Sequence, residues 1–451
     1  MDSDQIARQV TGPGGAAIAA IVQRFGPEFV DDAVATVYTH LEENGISVGL
    51  VFRLRQLRER VLRIRELLDC LMSTHPSASA VRLLSRLVLV GQERASIRAL
   101  ITSNSSLLAA KVAERSAETG EHYITRDWPQ YRSMLRKAAG GGALTGGTTL
   151  LKFMIMGLGL SAFWGGFWAG AMYAASFVVI QLLHCTLATK QPAMTAPAMA
   201  AKLKDIGTPE AVNAFVDEVA HLMRSQAAAV LGNVLVVFPV VLLLSVGIGL
   251  LLGHPMLSAK DAAYTLHSLS LLGPTLLFAG FTGCLLFASS IIAGWTENWF
   301  VLRRLDSAMR YNPGITGLLG VERAGRWAHF MRNNISGFAS NISLGFMLGL
   351  IPPIMVFFSL PLEVRHVTLS AGQLAAASVA YGVQTVFMPA FWWAVAAIPL
   401  IGALNLGVSF YLAYKLALRA HNVSGVQRAH IHQAIWARWR HRPLNFFIPA
   451  G

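Results

Sequence analysis

The sequence predicts an all-α, polytopic transmembrane helix bundle of about six spans, preceded by a cytoplasmic helical domain. Three observations carry that reading. Beyond residue 143 the chain contains long, mostly apolar segments, the clearest running from Ala227 to Leu252 without a charge. At about 1.5 Å of rise per residue, about 20 apolar residues cross a hydrocarbon core ~30 Å thick. Only 14% of the 451 residues are charged and 54% are hydrophobic, whereas soluble domains carry about 25% charged residues. Basic residues are also confined to alternate loops, as a membrane topology requires.

Residues 1–143 read as a helical domain without strands. Phe29 to Glu43 has helical spacing and stops at Asn44-Gly45, a good helix terminator. Leu50, Leu54, Leu57, Val61, Ile64, Leu68 and Leu71 follow at alternating intervals of four and three. That is a heptad-like seam, expected to pack against neighbouring helices. Around it stand Arg53, Arg55, Arg58, Arg60, Arg63 and Arg65, which read either as a solvated bundle face or as a contact for DNA phosphates or anionic lipid. The domain ends in a basic, aromatic approach to the membrane (Tyr123, Arg126, Trp128, Tyr131, Arg132, Arg136, Lys137), with Gly140-Gly141-Gly142 as an expected hinge.

Residues 144–412 form the bundle, with spans expected at 144–162, 165–186, 227–252, 269–293, 336–358 and 388–412. Loops 187–226 and 294–335 and the tail 413–451 together carry sixteen Lys and Arg, while the alternate loops hold only Lys260 and Arg365. The positive-inside rule places both termini in the cytoplasm. Leu369–Phe387 is apolar but contains Gln373, Ser378, Gly382 and Gln384, and reads as an outer-surface or re-entrant helix. The tail is basic, and Trp436 and Trp439 among three arginines suggest an interfacial anchor.

Several residues are candidates for chemistry. Lys152 lies inside the first span, and an ionisable group at depth is either functional or snorkels to the surface. Gln181 and His184 lie one turn apart near the end of the second span, and with Lys152 and Asn341 they make a candidate intramembrane polar site. The alternative role for such groups, and for Asn233 and Asn405, is interhelical hydrogen bonding. Gly345 and Gly349, and Ala403 and Gly407, have the spacing of close helix contacts. Pro352-Pro353, Pro389 and Pro399 are candidate kinks. His430 and His432 lack acidic or cysteine partners in the pattern a metal site needs. Cys70, Cys185 and Cys284 are far apart and form no CxxC. No cofactor or metal is expected. The net charge of +13 favours anionic phospholipid as partner alongside the bilayer itself; a protein partner on the N-terminal domain and nucleic acid are the other partner readings.

The stretches YTHLEENGISVGLVFRLRQLRERVLRIRELLDCL (38–71), HYITRDWPQYRSMLRKAAGGG (122–142), LLHCTLATKQPAMTAPAMAAKL (182–203) and LPLEVRHVTLSAGQLA (360–375) resemble one bacterial family, the site-specific recombinase transmembrane proteins. The resemblance implies a multi-pass inner-membrane protein, and the family name implies DNA recombination. The sequence offers an imitation of a tyrosine-recombinase set: His221 and Arg224 as HxxR, then Leu252-Gly253-His254 and Tyr264. The span 227–252 lies between its two halves, although all members must reach one phosphate. No family catalytic residue can therefore be assigned, and a catalytic role is not expected. The readings left by the sequence are a non-enzymatic scaffold or envelope-associated protein, a transporter using intramembrane polar residues, and a DNA-binding accessory factor.

Overall fold

The computed structural model describes residues 63–64, 66–68, 70, 76–95, 124–187, 195, 199, 209–420 and 428–449. Among them there is no strand. The chain divides into two units, Met1–Leu107 with Asn298–Arg332, and Leu108–Glu297 with Asn333–Gly451.

Of the first unit, the description covers α1 (Pro76–Ala95) and the connection made by α7 (Leu305–Tyr311) and α8 (Pro313–Leu319). Asn312 caps α8, its side chain accepting from the N–H groups of Gly314 and Ile315, with Pro313 at the first helical position. Neither short helix buries a residue. Of the seam residues described, Ile64 is 56% exposed rather than packed, and Leu68 is half-buried. The seam residues Leu50, Leu54, Leu57, Val61 and Leu71, and Arg53, Arg55, Arg58, Arg60 and Arg65, lie outside the described residues; Arg63 is exposed.

The second unit is the bundle. Its elements are α2 (Trp128–Gly157), α3 (Ala162–Leu182), α4 (Pro209–Leu252), α5 (Ala259–Leu269), α6 (Thr275–Leu302), α9 (Val321–Phe357), α10 (Val367–Tyr381), a 3-10 turn (Gly382–Phe387), α11 (Pro389–Ala420) and α12 (Arg428–His441), with α6 and α9 running on into the first unit. Five helices, α3, α4, α6, α9 and α11, are long and apolar enough to cross a membrane. The sixth expected span corresponds to α2, which starts earlier than residue 144 and carries Lys152 and a glycine-rich face.

The expected hinge Gly140-Gly141-Gly142 is a correction. All three residues lie in the unbroken helix α2, capped at its start by Asp127 accepting from the Gln130 N–H. The glycines are there for close approach. A side chain at Gly141 would run into the Thr186 carbonyl, one at Gly142 into the backbone of Asn233, and one at Gly146 into Val240. The contacts Gly142–Asn233 and Gly146–Val240 also show that α2 and α4 run side by side in the same direction.

Helices α3 and α9 pack antiparallel through a second small-residue seam. Gly349 lies against the backbone of Gly166 and Gly170, and Gly345 against Ala174. The Gly345/Gly349 expectation holds; its partner glycines on α3 were not singled out from sequence. The Ala403/Gly407 pair is corrected. Both face outward, and a Cβ on Gly407 would touch nothing, while Gly402 and Asn405 turn inward. Of the proline candidates, Pro352, Pro353 and Pro399 lie inside helices, whereas Pro389 opens α11; Pro239 is a further proline inside α4.

Segment 360–387 folds back on the bundle. After α9 the backbone runs without regular structure from Leu360 to His366. Helix α10 then rises beside α2 and α4, Thr368 bonding Asn233 and Gly372 packing on Thr149. Its far end reaches α5, where the Tyr381 hydroxyl donates to the Ala259 carbonyl. The chain turns over Gly382 (φ 58°) and returns as α11. Fifteen residues extend about 22 Å, short of a ~30 Å core. Ten residues of α10 are buried, and six of them, Val367, Ala371 and Leu374 to Ala377, share a core with Val237 and Val241 of α4, Leu266 and Leu269 of α5, and Ala394 and Ile401 of α11.

The opposite end of the bundle gathers both flanks of the membrane region. Thr125 donates its N–H to Ser225, Arg438 pairs with Asp217 at 2.7 Å, and Phe446 is fully buried. Trp439 packs on Phe446 at 5.2 Å, whereas Trp436 is 64% exposed, so only one tryptophan of the expected anchor faces outward.

Candidate functional site

The four residues of the expected intramembrane polar site do not converge as a set. Gln181 and Asn341 meet: Asn341 Nδ2 donates to Gln181 Oε1 at 2.6 Å, and Gln181 Nε2 donates to Asn334 Oδ1 at 3.3 Å. Gln181 lies over Gly337, where any side chain would collide with it. This trio ties α3 to α9. His184 is exposed, with φ 53°, in the turn after α3. Lys152 belongs elsewhere, in the last turns of α2, half-buried and within electrostatic range of Glu363 and Arg365.

Two asparagines that sequence reasoning treated as packing glue have that role. Asn233 is fully buried; its Nδ2 donates to the carbonyls of Ala138 (2.7 Å) and Thr186 (2.9 Å), and its Oδ1 accepts from Thr368. Asn405, also fully buried, donates to the carbonyls of Ala279 and Arg365 (2.9 Å each) and accepts from the Val367 N–H (3.0 Å). Thr282 accepts the Arg365 N–H at 2.7 Å. Backbone groups away from helices must be satisfied inside a bilayer. Here Asn405 and Thr282 supply partners along the descending segment.

The group that sequence reasoning missed is Arg365. It was counted among loop charges, yet it is 7% exposed. Its Nη1 pairs with Glu363 at 2.7 Å and donates to the Val364 carbonyl, and Nη2 donates to the Ser268 carbonyl at 3.0 Å. The guanidinium lies 5.4 Å from the Phe278 ring centre, and its Nε is buried without a hydrogen bond. The Tyr264 hydroxyl donates to Glu363 at 3.4 Å. Tyr264, Glu363 and Arg365 thus form one polar cluster, drawn from α5 and the stretch before α10. The signal available in sequence was an arginine two residues after a glutamate, just before an apolar run with no room for a full span.

The residues resembling a recombinase set stand at opposite ends of α4. From Arg224 to Leu252 is about 42 Å of helix at about 1.5 Å per residue. Each half has other partners. Arg224 donates twice to the Asn445 carbonyl (2.8 and 3.2 Å), holding the C-terminal segment, and His221 lies 3.8 Å from Glu218. Burial raises the pKa of Tyr131 in this region, opposed by the charge of Arg224. His254 Nδ1 lies 3.0 Å from the Pro255 carbonyl oxygen. Among the described residues no group of His, Cys, Asp and Glu is arranged to hold a metal, and all three cysteines are free.

A family model described as site-specific recombinase matches residues 27–449. No curated protein and no solved structure matches the chain.

Proposed function

The chain belongs to the site-specific recombinase family, and from that premise we propose a non-enzymatic role for it, as a scaffold or envelope-associated protein of the bacterial inner membrane. Both termini are cytoplasmic in this reading, residues 1–143 form a helical domain that carries partners, and residues 413–451 form a basic tail. The loop charge asymmetry supports the orientation, and the basic loops suit anionic phospholipid.

The observation that carries the reading is the separation of His221 and Arg224 from His254 and Tyr264 by the apolar length of α4. Strand exchange needs a nucleophile and its stabilising cations within hydrogen-bond reach of one phosphate. The engagement of Asn233, Asn405, Gln181 and Asn341 in helix–helix contacts supports a structural use of intramembrane polarity. The test is covalent trapping of the purified chain on nicked suicide DNA substrates. No adduct is expected. An adduct abolished by Tyr264→Phe would overturn the proposal. Duplex binding without an adduct, abolished by neutralising Arg53–Arg65, would make the chain an accessory DNA-binding factor instead.

A second reading, translocation, is favoured by one feature: the non-helical backbone from Leu360 to His366, which is buried inside the bundle at Arg365 and His366. Broken helices of this kind surround substrate sites in transporters.

A further inference from the structure

The C-terminal segment is held at a fixed height along α4. Arg438 pairs with Asp217 at 2.7 Å, and the Asn445 carbonyl accepts from Arg224 at 2.8 and 3.2 Å. Arg224 is the last charge before the apolar run Ala227–Leu252. At about 1.5 Å per residue it lies about 4.5 Å short of that run, whereas Asp217 lies about 15 Å short. Between Arg438 and Asn445 the chain therefore climbs to the boundary of the run. There Phe446 is buried against Trp439, but Leu444 is 70% exposed, Phe447 41% and Ile448 45%. Trp436 stays at the Asp217 level, next to Ile435, which packs in the cluster around Phe215.

The start of α2 flanks this segment. Asp217 and Arg224 are seven residues apart and share one face of α4. One position on, Glu218 and Ser225 hold Arg126 at 3.1 Å and the Thr125 N–H at 2.7 Å. Helix α2 then runs beside α4, with Tyr131 and Met134 in one core with Ala228 and Ala229. Arg132 and Arg136 thus stand level with the first turns of the apolar run. Arg132, Arg136, Arg440 and Arg442 are exposed, and among the described residues none of them forms an ion pair.

We infer that these two elements form one contact surface for the headgroup layer of an anionic bilayer. Leu444, Phe447 and Ile448 enter the boundary between headgroups and acyl chains, while Arg132, Arg136 and Arg442 take lipid phosphates. Apolar side chains at that depth gain by leaving water, and each cation near an acidic surface adds its attraction. Duplex nucleic acid would engage the arginines but leaves the three apolar side chains fixed beside them in water. The tail is anchored through residues 444–448 rather than through Trp436. The inference rests on the membrane reading proposed above and adds to it the residues that meet the headgroups.

The test uses the full chain in vesicles of phosphatidylcholine and phosphatidylglycerol, with the native cysteines replaced and a bimane fluorophore on Ile448→Cys or Trp436→Cys. Bromine on the lipid chains quenches a fluorophore that touches them. Quenching is expected at position 448 and not at 436. Brominated phosphatidylglycerol should quench position 448 more than brominated phosphatidylcholine at the same fraction. Arg132→Gln, Arg136→Gln and Arg442→Gln together should remove most of that difference, each arginine being worth about fivefold in local enrichment. Native mass spectrometry of the unlabelled chain with its cysteines intact, released from mild detergent holding both lipids in equal amounts, should show phosphatidylglycerol retained in excess. Equal quenching at 448 and 436, or no lipid preference by either measure, overturns the inference. Loss of the preference to a duplex oligonucleotide at constant ionic strength also overturns it and assigns the arginines to nucleic acid. A reversed orientation of the termini would leave the quenching unchanged in symmetric vesicles, so a failure of the topology is distinguishable from a failure of this contact.

Discussion

Replacing Asn405 by leucine tests the account of the re-entrant segment most directly. The side chain is fully buried and makes three hydrogen bonds, two donated to the Ala279 and Arg365 carbonyls and one accepted from the Val367 N–H. Leucine keeps the branch point and leaves no cavity, but it is larger than asparagine, so overpacking only adds to the polar loss. Interhelical hydrogen bonds in membranes average about 0.6 kcal/mol each, with a maximum near 1.7, so three are worth roughly 2 kcal/mol. The Val367 N–H, left buried without an acceptor, adds about 1–3 kcal/mol. A destabilisation of at least about 3–5 kcal/mol follows, ~100-fold or more in the unfolding equilibrium. Asn405→Asp should be worse, because a carboxylate cannot donate to two carbonyls. The lipid-facing Gly407→Leu is the control, since a Cβ there meets nothing; its effect should stay within about 0.5 kcal/mol. Reversible denaturation in mixed detergent micelles gives all three values. If Asn405→Leu unfolds with Gly407→Leu, the segment from Leu360 to His366 is not held by Asn405 and the description of that region is wrong.

Two further outcomes follow from the packing and the topology. Gly349→Ile places a branched side chain against the backbone of Gly166 and Gly170 and should destabilise the α3–α9 pair by about 1–3 kcal/mol or more, whereas Gly157→Ala, with open space around it, should be tolerated; equal folded yields in detergent would contradict the seam. In intact cells, a cysteine at position 260 should react with an impermeant maleimide from outside and one at position 310 only after permeabilisation, with the native cysteines removed; outside labelling of a cysteine in the tail, at 433 for example, would overturn the six-span topology and make Leu369–Phe387 a span.

The sequence reading and the structure agree where hydropathy is the controlling force. The apolar lengths of α3, α4, α6, α9 and α11 exceed what a soluble core needs, so their existence is written in composition. Helix α10, at fifteen residues, is too short to cross. What composition cannot supply is which face of a helix meets a neighbour. Gly140-Gly141-Gly142 looks identical whether it bends a chain or admits one, and here Thr186 and Asn233 occupy the space the missing side chains leave. Ala403 and Gly407 have the right spacing on the wrong face. Ile64 belongs to a well-formed heptad pattern and is nonetheless exposed. Lys152 was grouped with Gln181 because both lie in adjacent spans, yet they lie in different neighbourhoods. Arg365 could not be placed at all, since its burial depends on Ser268, Thr282 and Asn405, which are 97, 83 and 40 residues away.

The stretch from Leu360 to Tyr381 also constrains the order in which the protein can be built. Its non-helical half exposes backbone groups that lipid cannot satisfy, and its helical half is too short to remain as an independent span. Two of its anchors come from elsewhere: Thr282, made before it, and Asn405, made after it. Until α11 has been synthesised and threaded into the bilayer, the Val367 amide and the Arg365 carbonyl lack the amide group that holds them. The segment therefore has to wait at the surface, or in the shelter of the insertion machinery, while the later helix takes its place. Its seating is then a closing step of biogenesis, and a chain truncated before Asn405 would leave the Val367 N–H and the Arg365 carbonyl without that partner.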